Sequence, residues 1–226
     1  MNDLAGPRRG GVILDFDNTM LVDPAFYAEI YGPALDETVA ETRGEAGLAM
    51  LRWHRDQTGH MGVLTLPFFG IDFARFAEKL CRCPIDGLAV PPRLAGQLGR
   101  LVLPKIIYSG SPDAFIRRVL HHWRLDETMF AEIIAWHPGE DLPLKHCASP
   151  RVFQAINDRH GWAPHLSWSI GDSSASDLVP ARWIGMRTIA IGPDPGHADL
   201  AFATLEQALD HLAARPEIGL RPVAAN

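Results

Sequence analysis

Two carboxylates separated by a single residue occur in Asp15-Phe16-Asp17-Asn18-Thr19, directly after the apolar run Val12-Ile13-Leu14. On an extended chain, residues i and i+2 point the same way, so both carboxylates project to one side. Their repulsion is costly unless a cation sits between them or one is protonated. A strand end carrying such a pair most simply serves a divalent metal. Oxygen-only ligation by few groups suits Mg²⁺, which keeps several waters and binds through one or two carboxylates plus phosphate. Taken alone, the stretch also reads as an acidic turn, with Asn18 as the turn residue and Thr19 as a cap.

Matching groups recur farther along the chain. Ser109-Gly110 follows the apolar run Lys105-Ile106-Ile107-Tyr108 and offers a hydroxyl and unhindered backbone N–H groups to a phosphate oxygen at a helix start. A second acidic pair, Asp172 and Asp177, lies in Gly171-Asp172-Ser173-Ser174-Ala175-Ser176-Asp177, after the run Leu166 to Ile170. Lys145 precedes a helix that opens at Pro150 and can act as a point cation for phosphate. Singly, these are a cap, a turn and a solvated lysine. In this order, at successive strand ends, they point to a phosphate-handling metal site.

Such groups converge only if the elements between them form an α/β sheet. Short apolar runs, including Ala131 to Trp136 and Arg187 to Ile191, alternate with helical patterns, as βα units and a parallel sheet require. Ligands in open sheets of this kind bind outside the carboxyl ends of the strands. Ser111-Pro112 and Ser149-Pro150 read as N-cap plus N1 proline, the second helix stopping at Gly161. Thr204-Leu205-Glu206-Gln207 fits a capping box, with Leu205, Ala208, Leu209 and Leu212 on one stripe. From about Asp23 to Leu103 only helices are expected: Pro24 to Tyr31, Leu35 to Gln57, Asp72 to Leu80 and Pro92 to Leu101. One connection between neighbouring strands needs one helix, so several in a row read as an inserted subdomain. The expected division is a Rossmann-like α/β core of residues 1–22 and 102–226, carrying a helical cap of residues 23–101.

Composition narrows the classes. With 226 residues and 47% hydrophobic content the chain can bury a core and is not disordered. Its 21 basic and 27 acidic side chains give a net charge of −6, a poor match to nucleic-acid polymers. Three cysteines argue against a disulfide scaffold. No apolar run is long enough for a membrane span, and the first residues lack the apolar core of a signal peptide, so the expected location is cytoplasmic. The oligomeric state is left open between monomer and homodimer.

As a set, these motifs resemble those of the haloacid dehalogenase (HAD)-like hydrolases, a superfamily made up mostly of phosphatases. Its D-x-D-x-T motif corresponds to Asp15 to Thr19, its second-motif hydroxyl to Ser109, its lysine to Lys145, and its acidic pair to Asp172 and Asp177. The resemblance spans residues 11 to 192, and the helical insertion looks like the superfamily's helical cap of the first type. Asn18 and the stretch His54 to Gly62 are similar to the pyrimidine 5′-nucleotidase-like branch. The chain departs from that branch at Gly110, where Asn is usual, and at His146, where Pro is usual. Its fourth motif resembles the Gly-Asp form of phosphoglycolate-type phosphatases.

The resemblance implies a mechanism. Asp15 is the expected nucleophile, forming an aspartyl-phosphate. Asp17 is the expected acid and then base, outside the metal's immediate coordination. Mg²⁺ is expected at Asp15, Asp17 (through its carbonyl) and Asp172. Ser109, Gly110 and Lys145 are expected to hold phosphate. Thr19 is expected to tie the loop presenting Asp17, and Asp177 to orient water and Lys145. The expected partner is a small phosphorylated substrate: a pyrimidine nucleoside 5′-monophosphate, or else phosphoglycolate or a sugar phosphate. A non-catalytic binding protein on the same fold is the competing reading. Trp53, His60 and Met61 are cap candidates for substrate contact, each also readable as a packing or solvated group, and Phe26 and Tyr27 share that ambiguity. Cys81-Arg82-Cys83 lacks a matching pair at zinc spacing, and His121-His122 reads as one packed and one solvated ring.

Overall fold

A computed structural model describes residues 9–58, 63–140, 145, 148–193 and 196–214. Its centre is β1 (Val12–Leu14), a strand of three residues with no exposed side chain, as expected of a strand covered on both faces. On one side it pairs in parallel with β2 (Lys105–Pro112), which pairs with β3 (Glu132–Trp136). On the other it pairs with β4 (Trp168–Gly171), followed by β5 (Arg187–Ile191) and β6 (Leu200–Phe202). The six strands run in the order β3-β2-β1-β4-β5-β6. The order reverses at β1, so the carboxyl ends of β1, β2 and β4 bound the crevice where such sheets bind ligands.

Alternation along β1 divides the core. Val12 and Leu14 face a large cluster that includes Phe16, Phe115, Trp168 and the apolar side chains of the insertion. Ile13 faces the opposite layer with Ile106, Tyr108, Phe153 and Trp162. The helices that follow the strands close both layers: α5 (Asp113–His122), α6 (Pro150–His160), α7 (Val179–Trp183) and α8 (Leu205–Ala213). Ser149 caps α6 ahead of Pro150, and Thr204 caps α8 by accepting from the Gln207 N–H at 3.4 Å, as the sequence predicts. In contrast, α5 has no side-chain cap. Ser111 and Pro112 remain in β2, and the helix begins one residue later than the Ser-Pro signal suggests.

The insertion begins with α1 (Pro24–Phe26), passes through a π-turn at Tyr27–Tyr31 and continues as α2 (Gly32–Thr58). The two helices expected around residue 32 are therefore continuous. The interruption falls instead at Gly44, whose φ of 62° glycine adopts without a Cβ clash. The 3₁₀ segment Val63–Phe69 and α3 (Phe73–Arg82) complete the helical layer. Aromatic contacts seat it on the core: Phe26 stacks on Phe115 at 5.6 Å, and Phe73 meets Trp136 edge-on at 5.0 Å.

The fourth expected helix, α4 (Leu94–Arg100), sits with the core. Gln97 donates to the Glu206 carbonyl at 3.1 Å, while Arg93 and Arg100 bind the two carboxylate oxygens of Asp210 on α8. The boundary drawn at residue 101 thus assigns to the cap a helix whose side-chain partners belong to the core. Among the described residues, no helix is long and apolar enough to cross a membrane.

Candidate active site

Asp15 continues β1 by one residue, its N–H donating to the Ile170 carbonyl at 2.9 Å. It is 3% exposed. Its Oδ1 accepts from the Phe16 N–H at 2.7 Å and pairs with Lys145 Nζ. Its Oδ2 accepts from the Thr19 hydroxyl at 3.0 Å. Thr19, expected to tie the loop that presents Asp17, binds Asp15 at the start of that loop.

The chain then turns tightly. The Phe16 carbonyl accepts from the N–H groups of Met20 and Leu21 at 2.9 and 2.8 Å. Asn18 sits at φ 56°, a region that Asn tolerates better than most residues. This turn swings the Asp17 carboxylate away from Asp15 and towards β2. There Oδ2 accepts from the Ser109 hydroxyl at 2.8 Å and Oδ1 from the Ser111 hydroxyl at 3.0 Å. Ser109 and Ser111, two residues apart on β2, share this face, and the β2–β3 register shifts between Tyr108 and Pro112. Gly110 lies between them. Tyr27, from the insertion, adds a phenol 3.4 Å from Asp17 Oδ1.

Lys145 enters between β3 and α6. Its ammonium is 2.8 Å from Asp177 Oδ1, pairs with Asp15 Oδ1 and lies 5.9 Å from the centre of the Tyr108 ring. Asp177 is fixed in turn by the Ser173 N–H, which donates to Oδ2 at 3.1 Å. The approach is close: a Cβ at Gly171 would fall 2.3 Å from Asp177 Oδ2, so only glycine fits.

Asp15, Asp172 and Asp177 each present an oxygen, all within 4.8 Å of one another. Three carboxylates against one buried ammonium leave surplus negative charge. Burial, helped by the charges of Asp172 and Asp17 and opposed by Lys145, raises the pKa of Asp15 to about 7. Burial also raises Asp177 to about 7, with Asp15 adding and Lys145 opposing. Asp172 is shifted upward for the same first reason. For Lys145, burial disfavours the charge, but Asp15 and Asp177 outweigh it and hold the ammonium above its ordinary value. An all-oxygen cluster with unbalanced negative charge fits a hard divalent cation such as Mg²⁺.

Two cavities border this site. One, of about 490 Å³, is largely apolar and touches Asn18, Thr19 and Asp172. The other, of about 610 Å³, is lined by Asn18, Tyr27, Asp36 and Arg55 among others. Trp53 borders neither and is 65% exposed on α2. His60 and Met61 lie outside the described residues. Phe26 is buried packing, whereas Tyr27 reaches the site. At Cys81 and Cys83 the backbone carbonyls accept from Arg118, which joins the end of α3 to α5. His122 is partly buried on the Leu88 carbonyl at 2.9 Å, and His121 is exposed.

Sequence reasoning missed Ser111 and the reach of Tyr27. Ser109 and Ser111 share one face of a strand by the i, i+2 rule, but reading Ser111-Pro112 as a helix cap ended the strand before the rule could apply.

Searches against protein-family models and curated proteins find no match. Solved structures do match. A HAD phosphatase from Thermococcus onnurineus superposes with a TM-score of 0.60 at 20% identity, over 90% of this chain and 97% of that one. A 2-haloacid dehalogenase from Pseudomonas syringae superposes with a TM-score of 0.55 at 17% identity, over 91% and 98%. The fold is that of the HAD-like hydrolases. A third structure with this HAD-like fold, a HAD-hydrolase from Bacillus subtilis bound to magnesium, superposes with a TM-score of 0.57 at 14% identity, over 91% and 99%.

Proposed function

We propose that this protein is a Mg²⁺-dependent phosphomonoesterase that acts through an aspartyl-phosphate on Asp15. The observation that carries this reading is the division of labour between two neighbouring carboxylates. Asp15 is gathered with Asp172, Asp177 and Lys145, while Asp17 is turned to the hydroxyls of Ser109 and Ser111. One acid is paired with an ammonium, and the other accepts from hydroxyls. A nucleophile and an acid/base need that separation.

The carboxylates of Asp15 and Asp172 and the carbonyl of Asp17 would hold Mg²⁺, which would supply positive charge that lessens the repulsion between an anionic nucleophile and an anionic ester. The Asp15 carboxylate attacks phosphorus as the bond to the leaving oxygen breaks. Asp17, protonated beforehand, gives its proton to that oxygen. As a carboxylate it then takes a proton from the water that attacks the phosphoryl group, releasing phosphate and restoring Asp15. Lys145 and Ser109, with the Gly110 N–H, hold the equatorial oxygens. Asp177 keeps Lys145 aimed.

The substrate is a small phosphorylated metabolite rather than a polymer, in keeping with the net charge of −6. The cavity beside Asn18 and Tyr27 is lined in part by the ion pair of Arg55 and Asp36, a polar wall for a polar leaving group. A pyrimidine nucleoside 5′-monophosphate is the first candidate, with phosphoglycolate and sugar phosphates next. A dehalogenase shares the fold, but halide leaves without a proton and needs no Asp17. The engagement of Lys145 with Asp15 and Asp177 supports the catalytic reading over a non-catalytic one. The test is phosphate release across a panel of nucleotides, phosphoglycolate and sugar phosphates with Mg²⁺, compared by kcat/KM. Turnover is expected for at least one member. Tight Mg²⁺ binding with no release from any would defeat the proposal.

A further inference from the structure

Asp17 is gripped asymmetrically. Its Oδ2 has Ser109 as its partner, at 2.8 Å. Its Oδ1 has two: Ser111 at 3.0 Å and the Tyr27 phenol at 3.4 Å. Both partners of Oδ1 are themselves held. Ser111 is 4% exposed, and its N–H donates to Ser109 Oγ at 2.9 Å. The Tyr27 oxygen accepts from the Asn18 N–H at 3.1 Å, and its one hydrogen is shared between Asp17 Oδ1 and the Leu21 carbonyl at 3.3 Å, so the phenol is pinned to the turn that carries Asp17. Tyr27 stands in a π-turn, a rare backbone form that often marks functional positions. Burial, with the charge of Asp17 adding, keeps its phenol protonated and therefore a donor.

A serine hydroxyl has one hydrogen to donate. Ser109 cannot give it to Asp17 and to a phosphate oxygen together. On the mechanism proposed above, phosphate arrival therefore takes the Ser109 hydrogen from Oδ2, while Oδ1 keeps the Ser111 hydroxyl and the phenol hydrogen that it shares with the Leu21 carbonyl. We propose that Ser111 and Tyr27 are positioning residues that anchor Asp17 by Oδ1, so that Oδ2, released by Ser109 when phosphate binds, is the oxygen that carries the proton to and from the reaction. In the first step the Oδ2–H bond breaks and the leaving oxygen gains the proton as its bond to phosphorus breaks. In the second, Oδ2 regains a proton from the attacking water. No other reactant is required. The inference rests on the phosphatase reading and adds to it a residue from the insertion.

The experiment compares wild type with Tyr27→Phe and Ser111→Ala on two esters, an alkyl phosphate and 2,4-dinitrophenyl phosphate, reading kcat/KM. That ratio reports only steps up to release of the leaving group. The alkoxide needs a proton and dinitrophenolate does not. The loss in each variant is expected to be at least about tenfold greater on the alkyl ester, the scale of one hydrogen bond in a transition state. Equal losses on both esters, or no loss on either, would overturn the anchoring role. Thermal unfolding and Mg²⁺ binding of each variant separate misfolding from mispositioning, and two independent variants guard against one failing to fold. Wild type inactive on both esters would overturn the phosphatase reading itself, and the anchoring role with it.

Discussion

The ammonium of Lys145 is shared between Asp15 and Asp177, 2.8 Å from Asp177 Oδ1 and paired with Asp15 Oδ1, with all three side chains buried. The lysine comes from the β3–α6 connection, and the two acids from the ends of β1 and β4. This contact therefore draws three separate connections onto one point.

Breaking it leaves uncompensated buried charge. Lys145→Met is expected to cost about 3–5 kcal/mol of stability without metal, the usual scale for removing one partner of a buried ion pair. Urea unfolding in EDTA measures this. Saturating Mg²⁺ should restore part of the loss, because the cation replaces the missing charge. Turnover should remain severely reduced, because a phosphate oxygen has lost its partner.

The raised carboxyl groups give the metal-free protein a signed pH dependence. Asp15 and Asp177 shift from 3.8 to about 7, so the folded state holds protons that the unfolded state releases between those values. Their contribution is full below about pH 4 and is lost as pH rises through 7. The urea midpoint in EDTA should therefore fall between pH 5 and pH 8, and Asp177→Asn should shrink that fall. Mg²⁺ needs the ionised groups, so its affinity, measured by calorimetry, should rise over the same range.

Gly171→Ala tests the fit at the fourth strand end. The added methyl would lie 2.7 Å from the Asp177 Cβ as well as 2.3 Å from its Oδ2, so the Asp177 side chain must move. Overpacking of this kind costs about 1–3 kcal/mol. Mg²⁺ affinity and kcat/KM should each fall by about tenfold or more while circular dichroism stays native.

Phe73→Ala tests the seating of the insertion. Loss of the ring against Trp136 and its neighbours should cost about 3–5 kcal/mol, read from the unfolding midpoint. A looser insertion should also loosen the grip of Tyr27 on Asp17, so kcat should fall more than KM rises.

Much of the fold and site was legible because short buried strands end in polar side chains of unusual type. Val12–Leu14 announces β1 by its unbroken apolar run, Asp15, Ser109 and Asp172 each stand just beyond such a run, and Asp177 follows in the turn after β4. Lys145 is harder to read, since it stands nine residues past the end of β3 and only its order along the chain points to it. β6 escaped notice because Leu200–Phe202 is short and its central Ala201 is exposed, which leaves no periodic signal. α4 was assigned to the insertion because helical pattern says nothing about partners. Gln97, Arg93 and Arg100 find theirs on α8, more than a hundred residues later. The same limit leaves Tyr27 ambiguous in the sequence, because its contact with Asp17 depends on how the π-turn folds back.

The most direct measurement is mass spectrometry of enzyme quenched in acid during turnover with Mg²⁺, followed by digestion and mapping of the peptide that contains Asp15. One phosphoryl group on Asp15 is expected in wild type, with none in Asp15→Asn, which should also release no phosphate. Phosphate release with no phosphorylated Asp15, or release retained in Asp15→Asn, would contradict the assignment.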